Sequence, residues 1–310
     1  MKIVVLGSGA GGGSPQWNCN CAMCAAQRDP ARGIPVRTQS SIAISQDGED
    51  WILLNASPDI GTQLRNTPAL WPKQGLRHTP IKAVILMDAQ IDHATGLLSL
   101  REGPPIHLHI TPCVFEDLTT GLPILSVLEH YCGVRWHMLP VAGDQKVAEF
   151  TVDGFDQLRF RAIAIPGKAP PYSPHRHNPT VGDNIALSVL DLRSGQRFFY
   201  APGLGEVGPL ELGWMNEADC VMVDGTLWTN DEMIVRGLGS KTGADMGHLP
   251  QRGSPGQPGM IAALDRVEAS RKILIHINNS NPILDGRGPE CAELAEHGIE
   301  VAHDGMEITL

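Results

Sequence analysis

No stretch of this sequence approaches the roughly 18 consecutive apolar residues that a membrane-spanning helix needs, and nowhere do lysines and arginines gather into a run. The first absence argues against a helical anchor. The second, with a formal net charge of −10, argues against nucleic-acid binding, because neutralising phosphates takes a basic surface. No secretory leader is expected: one Lys and four apolar residues, Ile3 to Leu6, precede a glycine-rich stretch, too short for a signal core. The cytoplasm is the expected location. Seven cysteines cannot all pair, and a disulfide framework is not expected in a long chain without an export signal. Free thiols or a metal site are the readings left.

Hydrophobic residues make up 42% of the 310 positions and charged ones 19%, the composition of a folded protein with a sizeable core. This length accommodates a fused pair of domains or one α/β domain with two packed halves, and a single domain over residues 1–310 is the expectation. Short β-branched runs read as strands: Ile3 to Leu6, Ser41 to Ser45, Ile52 to Leu54, Ala83 to Met87, Leu158 to Ile165, Ile185 to Leu190, Arg197 to Tyr200, Val221 to Asp224 and Ile273 to Ile277. Amphipathic stretches at Ala94 to Leu100, Val114 to Thr120, Ser126 to Tyr131 and Met260 to Ala269 lie between some of them, while tight Gly or Asp turns join others. The mixture predicts α/β sheets with hairpins and crossovers, covered by helices. Two irregular segments, Gly167 to Asp183 and Gly237 to Pro258, are long enough to be binding loops. Both carry histidines, His175 and His177 in the first and His248 in the second. Trp51, Trp71, Trp136 and Trp214 belong to the core or to an interface, the core being the expectation.

The opening strand runs into Gly7-Ser8-Gly9-Ala10-Gly11-Gly12, which matches the G-x-G-x-x-G dinucleotide pattern. That site needs a helix to begin at the third glycine so that its N-terminus faces the pyrophosphate. Gly13-Ser14-Pro15-Gln16-Trp17 follows instead, so the glycines are read as a tight turn beside a neighbouring loop. Next, Cys19, Cys21 and Cys24 place three thiols within six residues, a spacing that lets one loop wrap a structural Zn²⁺ with a fourth ligand from elsewhere. Candidates for that ligand are His303, His297 or a group in the loop after His276. Cys113, Cys132, Cys220 and Cys291 have apolar neighbours and are read as core.

The strand Ala83 to Met87 ends in Asp88-Ala89-Gln90-Ile91-Asp92-His93. Several hydrogen-bonding and metal-capable groups therefore converge at a strand's carboxyl end, where open α/β sheets place ligands. Far along the chain, His276 interrupts the apolar run Ile-Leu-Ile-His-Ile. It is either a satisfied core residue or a ligand.

Asp88 to His93 resembles the H-x-H-x-D-H motif of the metallo-β-lactamase superfamily, with Asp88 and Gln90 standing where the first two histidines would be. The order of the remaining segments agrees: the turn after Tyr200, the Asp224 strand, Gly247-His248 and the His276 strand. The glycine loop with its cysteines is similar to the subgroup that contains a phosphodiesterase of phosphonate metabolism, whose cysteines bind structural zinc. In that subgroup the fourth zinc ligand lies three residues past the last-strand histidine, where this chain has Asn279. Ser14 to Cys21, Asp88 to His93 and Ile275 to Pro282 together resemble the branch that serves biosynthesis of pyrroloquinoline quinone (PQQ). The resemblance implies a four-layer αββα fold. It implies loss of one of the superfamily's two metal positions, since Gln90 is a feeble neutral ligand and Ala201-Pro202-Gly203 lacks a bridging Asp.

The surviving position is Asp92, His93 and His276. Two histidines and one carboxylate with open positions are the set of non-haem Fe(II) oxygenases, while the same ligands could hold zinc and activate water. Through the resemblance the expected reaction is Fe(II)- and O₂-dependent hydroxylation of the tyrosine-derived ring of a PQQ precursor made from a Glu-Tyr peptide. The alternatives are a non-catalytic carrier assisting transport of PQQ or its precursor to the periplasm, and a mononuclear zinc hydrolase. Asp88 and Gln90 are expected to support the metal or a bound water, and His248 to act as acid or base or to orient the phenol. Lys168, His175, Arg176 and His177 would meet substrate carboxylates, and Asp224 would tune a ligand histidine. Other proteins of the PQQ pathway and a second copy in a homodimer are the partners considered.

Overall fold

A computed structural model describes residues 1–310. Its strands in chain order are β1 (Lys2–Gly7), β2 (Ser41–Ser45), β3 (Trp51–Leu54), β4 (Ile81–Ile85), β5 (Ile106–Ile110), β6 (Val134–Met138) and β7 (Val147–Phe150). They continue with β8 (Leu158–Ala164), β9 (Ile185–Asp191), β10 (Arg197–Ala201), β11 (Cys220–Asp224), β12 (Arg271–Ile275), β13 (Ile299–Val301) and β14 (Glu307–Thr309). The chain divides into two compact units, each assembled from separated segments. One comprises Met1–Gly7, Ser40–Gln196 and Gly305–Leu310, the other Ser8–Gln39 and Arg197–Asp304.

The first unit holds a mixed sheet in the order β14-β1-β2-β3-β4-β5-β6. Pairing is antiparallel from β14 to β3 and parallel from β3 to β6. Every residue of β2 and β3 is buried, which is why β3 and the centre of β2 read as apolar runs rather than as an alternation. Trp51, Leu53, Val84, Leu86, Leu108 and Ile110 form the centre of the core on one face, each worth about 1.5–3 kcal/mol of burial if fully removed from water. β7, β8 and β9 pair antiparallel in the same unit. Histidines and a Trp in Ile106-His-Leu-His-Ile and Val-Arg-Trp-His-Met hid β5 and β6 from the apolar-run criterion.

The turn that follows β4 is locked to the end of β3. Asn55 takes φ 61°, a left-handed conformation that Asn tolerates better than most residues, and its Oδ1 accepts from the Met87 N–H at 2.9 Å. The Ala56 N–H donates to the His93 carbonyl at 2.7 Å, and Gly96 N–H to the Ala56 carbonyl at 2.9 Å. A Cβ at Gly96 would lie 2.1 Å from the Ser57 carbonyl oxygen, so only glycine permits this approach. The helix here differs from the expectation of one beginning near Ala94: a single α-turn spans Ile91–Ala94 and a 3₁₀ stretch Thr95–Leu100 continues it. Gly96, pressed against the preceding loop, is the sterically constrained point of that 3₁₀ stretch.

In the second unit β10, β11, β12 and β13 are all parallel. Asp224 closes β11 opposite Ile275 of β12, so the carboxyl ends of these strands gather polar side chains, as parallel sheets do at their ligand-binding edge. The strand expected to run through Ile277 stops at Ile275. His276 then adopts φ 61°, and the chain re-pairs with the glycine loop: Ile277 N–H to the Ser8 carbonyl and Ala10 N–H to the Ile277 carbonyl, both 2.9 Å. No helix starts at the third glycine of that loop. Gly12 and Gly13 have φ of 93° and 66°, and a Cβ at Gly9 would sit 3.1 Å from the Thr38 carbonyl oxygen, the tight approach the sequence predicted. Of the four tryptophans expected in the core only Trp51 is buried, while Trp71 and Trp136 are exposed and Trp214 is half-buried. Trp136 lies on β6, an edge strand, and stacks on Phe115 instead. Among the four cysteines read as core, Cys220 is buried and Cys113, Cys132 and Cys291 are intermediate.

Candidate metal centre

In the first unit the turn after β4 presents Asp88, Gln90, Asp92 and His93. Asp88 is aimed at its neighbour: its two carboxylate oxygens lie 2.8 and 2.9 Å from His93 Nδ1, and Oδ1 also accepts the Gln90 N–H at 2.8 Å. Both side chains are buried. A carboxylate can only accept, so Nδ1 carries the proton and Nε2 keeps its lone pair. That nitrogen lies 3.9 Å from Asp92 Oδ2, a separation two ligands can span when each is about 2.0–2.2 Å from one ion. His93 is thus oriented as metal-binding histidines are, with a carboxylate behind the ring. Gln90 points elsewhere, donating from Nε2 to the Lys168 carbonyl at 3.3 Å.

The 167–183 segment is held by its own side chains. Tyr172 donates its hydroxyl to the Ala89 carbonyl, and His175 Nε2 lies 3.0 Å from Glu116, which raises the pKa of that imidazole. Arg176 donates to the Ala169 carbonyl at 2.5 Å, and His177 is exposed. Of the four cationic residues singled out in the sequence, two therefore have partners that fold this loop.

The second unit gathers Asp224, Thr226, His248 and His276 at the ends of β11 and β12. Asp224, wholly buried, accepts at Oδ2 from the Leu204 N–H at 2.9 Å and lies 2.6 Å from His248 Nδ1. Its Oδ1 accepts from the Thr226 N–H at 2.8 Å and the Thr226 hydroxyl at 2.6 Å. Burial by itself raises this carboxyl, but the imidazole of His248 and these hydrogen bonds outweigh it and hold the group below the usual carboxylate range. Asp224, His248 and His276 each have a ligand atom within 4.8 Å of the others. The two rings are stacked with centroids 5.3 Å apart.

Cys19, Cys21 and Cys24 lie in the same unit, their sulfurs within 4.8 Å of one another, Cys19 on a loop, Cys21 capping the Ala22–Arg28 helix and Cys24 in its first turn. The residue beside them is Asn279. Its carbonyl oxygen is 3.8 Å from Cys21 Sγ and 3.9 Å from Cys24 Sγ, and its Nδ2 is 3.2 Å from Cys24 Sγ. Burial pushes the Cys21 thiol up to about 11. The other two candidates have different partners: His297 Nδ1 is 2.7 Å from Asp265, and His303 Nδ1 is 3.1 Å from the Asp304 carbonyl.

Thr226 and Asn281 were not anticipated. Asn281, fully buried, donates to the Gly225 and Thr226 carbonyls at 3.1 and 3.2 Å and so fixes the Asp224-Gly225-Thr226 turn. A hydroxyl two residues after a buried strand-end Asp was the available signal.

Comparison with known proteins places this architecture. A family model for the β-lactamase superfamily domain matches residues 50–277, and the chain has the metallo-β-lactamase fold. A diphosphatase of the PhnP family shares that fold at TM-score 0.63 and 17% identity over 100% of this chain and 97% of the other. Coenzyme PQQ synthesis protein B of Ectopseudomonas mendocina is 56% identical over the whole of both chains. The crystal structure of Zn(2+)-bound PqqB from Methylobacterium extorquens superposes at TM-score 0.86 with 36% identity, again over the whole of both. The chain belongs to the coenzyme PQQ synthesis protein B family. No helix is long and apolar enough to cross a membrane.

Proposed function

We propose that the protein acts in PQQ biosynthesis as a non-haem Fe(II)- and O₂-dependent hydroxylase of the tyrosine-derived ring of a Glu-Tyr precursor. Asp92, His93 and His276 hold the metal in this reading. The observation that carries it is the Asp88–His93–Asp92 arrangement, in which a carboxylate fixes the His93 proton on Nδ1 and leaves Nε2 and Asp92 Oδ2 3.9 Å apart, a fit to one divalent ion. Iron, when bound, would supply the O₂ chemistry that two histidines and one carboxylate support with positions to spare. Gln90 lacks an imidazole where a second metal would need one, which disfavours two-metal hydrolysis. His248, backed by Asp224 at 2.6 Å, would move a proton to or from the substrate phenol. Lys168 and the neighbouring cations attract the precursor's carboxylates. Cys19, Cys21 and Cys24 hold a structural zinc beside Asn279.

Hydroxylation replaces a ring C–H by C–OH, takes one oxygen atom from O₂ and consumes two reducing equivalents as the other becomes water. Anaerobically prepared Fe(II) protein, given precursor, reductant and then O₂, should yield hydroxylated product with O₂ uptake. Equal turnover without O₂ removes this reading. A zinc hydrolase is the second reading, favoured by the Zn(2+) in the Methylobacterium extorquens relative; it requires turnover of an ester or amide with zinc and no O₂.

A further inference from the structure

We infer that Thr226 is a positioning residue which sets the tautomer of His276, matching the one that Asp224 sets at His248. The Thr226 hydroxyl has one proton to donate and two lone pairs with which to accept. Asp224 Oδ1, 2.6 Å away, is a carboxylate oxygen and can only accept, and the separation is that of a charge-assisted O–H···O⁻ bond. The Thr226 proton is therefore committed to Asp224. Two further polar atoms face the same Oγ1, His276 Nδ1 at 2.9 Å and His248 Nδ1 at 3.1 Å. With its proton committed, Oγ1 meets both only as an acceptor, so both imidazoles carry their proton on Nδ1 and keep a lone pair on Nε2. His248 Nδ1 shares its proton with Asp224 Oδ2 at 2.6 Å, which demands the same tautomer.

The hydroxyl is held where this count applies. Thr226 N–H is bonded to Asp224 at 2.8 Å, the Thr226 carbonyl accepts from Asn278 N–H at 3.0 Å and from Asn281 Nδ2 at 3.2 Å, and Thr226 is buried. Thr226 Oγ1 thus stands between Asp224 Oδ1 and His276 Nδ1, whereas Asp88 meets His93 Nδ1 with its own oxygens. Asp224 therefore fixes a basic nitrogen at His248 directly and, with Thr226, prepares a nitrogen ligand at His276.

The tautomer assignment stands on the hydrogen bonds alone; its consequence for metal binding rests on the function proposed above. Long-range ¹H–¹⁵N spectra of the full-length protein with ¹⁵N-labelled histidine, metal-free and Zn(II)-loaded, at alkaline pH where free imidazole is neutral, read the tautomers directly. Wild type and Thr226→Ser should show the proton on Nδ1 of both rings. Thr226→Val, of similar shape but without the hydroxyl, should lose that preference at His276 and bind Zn(II) about tenfold or more weakly in a chelator competition, the usual cost of removing such a partner. A proton on Nε2 of His248 or His276 in wild type overturns the inference, as does a folded Thr226→Val protein with wild-type tautomers and zinc affinity. Should Thr226→Val not fold, the wild-type and Thr226→Ser spectra still decide. Nδ1 protonation in a wild type that binds no metal upholds this inference and refutes the metal reading instead.

Discussion

Replacing Asp88 by Asn keeps the shape of the side chain and removes the charge that orients His93. The amide can still accept the Gln90 N–H, the 2.8 Å bond that shapes the turn, so the backbone is expected to stay in place. What changes is the far side of the ring. The carboxylate meets His93 Nδ1 with both oxygens, at 2.8 and 2.9 Å, and accepts the Nδ1 proton; an amide can offer an N–H there instead and drive the proton to Nε2, the nitrogen that faces Asp92. A hydrogen bond to a charged group contributes about 1.5–3 kcal/mol. With about 1.4 kcal/mol per factor of ten, the variant should bind Fe(II) or Zn(II) roughly 10–100-fold more weakly, the range found for such outer partners. Competition against a chromophoric chelator measures the affinity, and thermal unfolding of the metal-free protein checks that the turn survives. Wild-type affinity in a folded Asp88→Asn protein would refute the idea that Asp88 acts through His93.

Other perturbations test separate parts of the account. His276 sits at φ 61°, a conformation costing a residue with a Cβ roughly 1–2 kcal/mol, so metal-free His276→Gly should be more stable than His276→Ala by about 1 kcal/mol in denaturant titration, with metal binding lost in both. Equal stability would mean the left-handed backbone carries no strain. Cys24→Ser should remove zinc that survives dialysis and lower the melting temperature, and unchanged zinc content would eliminate the structural site. His109, buried against His137 and Phe150, has its pKa pushed down to about 3, first by burial and then by His137 and His107. The unfolded chain therefore binds the proton first as pH falls: this residue costs nothing above about pH 6.5 and destabilises progressively from there toward pH 3. His109→Phe should flatten the stability-versus-pH curve in that window, and an unaltered slope would show that His109 already titrates in the folded state.

Much of the fold was legible because its central strands bury both faces and read as apolar runs, as Ser41–Ser45, Trp51–Leu54 and Cys220–Asp224 do. β5 and β6 were missed because His107, His109 and His137 face one another across the pair and make it look polar. The end of the strand before His276 was misplaced by two residues, since a change to positive φ leaves no mark in Ile-Leu-Ile-His-Ile. Around the candidate centre, the ligand-type residues stand out by residue chemistry and by their likeness to a known motif. Asn55, Thr226 and Asn281 do not, because each acts through hydrogen bonds to backbone or to another side chain far away in the chain, and Asn or Thr in a loop has many commoner uses. The roles of His175 and Glu116 were hidden for the same reason: a cation on a loop is visible in a sequence, its partner 59 residues away is not.

The central claim is that one ion is shared by Asp92, His93 and His276. Crystals grown without oxygen and soaked in Fe(II), with anomalous data collected on both sides of the iron edge, test it most directly. One iron peak is expected about 2.0–2.2 Å from an Asp92 carboxylate oxygen and from the Nε2 atoms of His93 and His276, with Asp88 and Thr226 still on the Nδ1 sides. Iron bound elsewhere, or coordinated through His276 Nδ1, would contradict it.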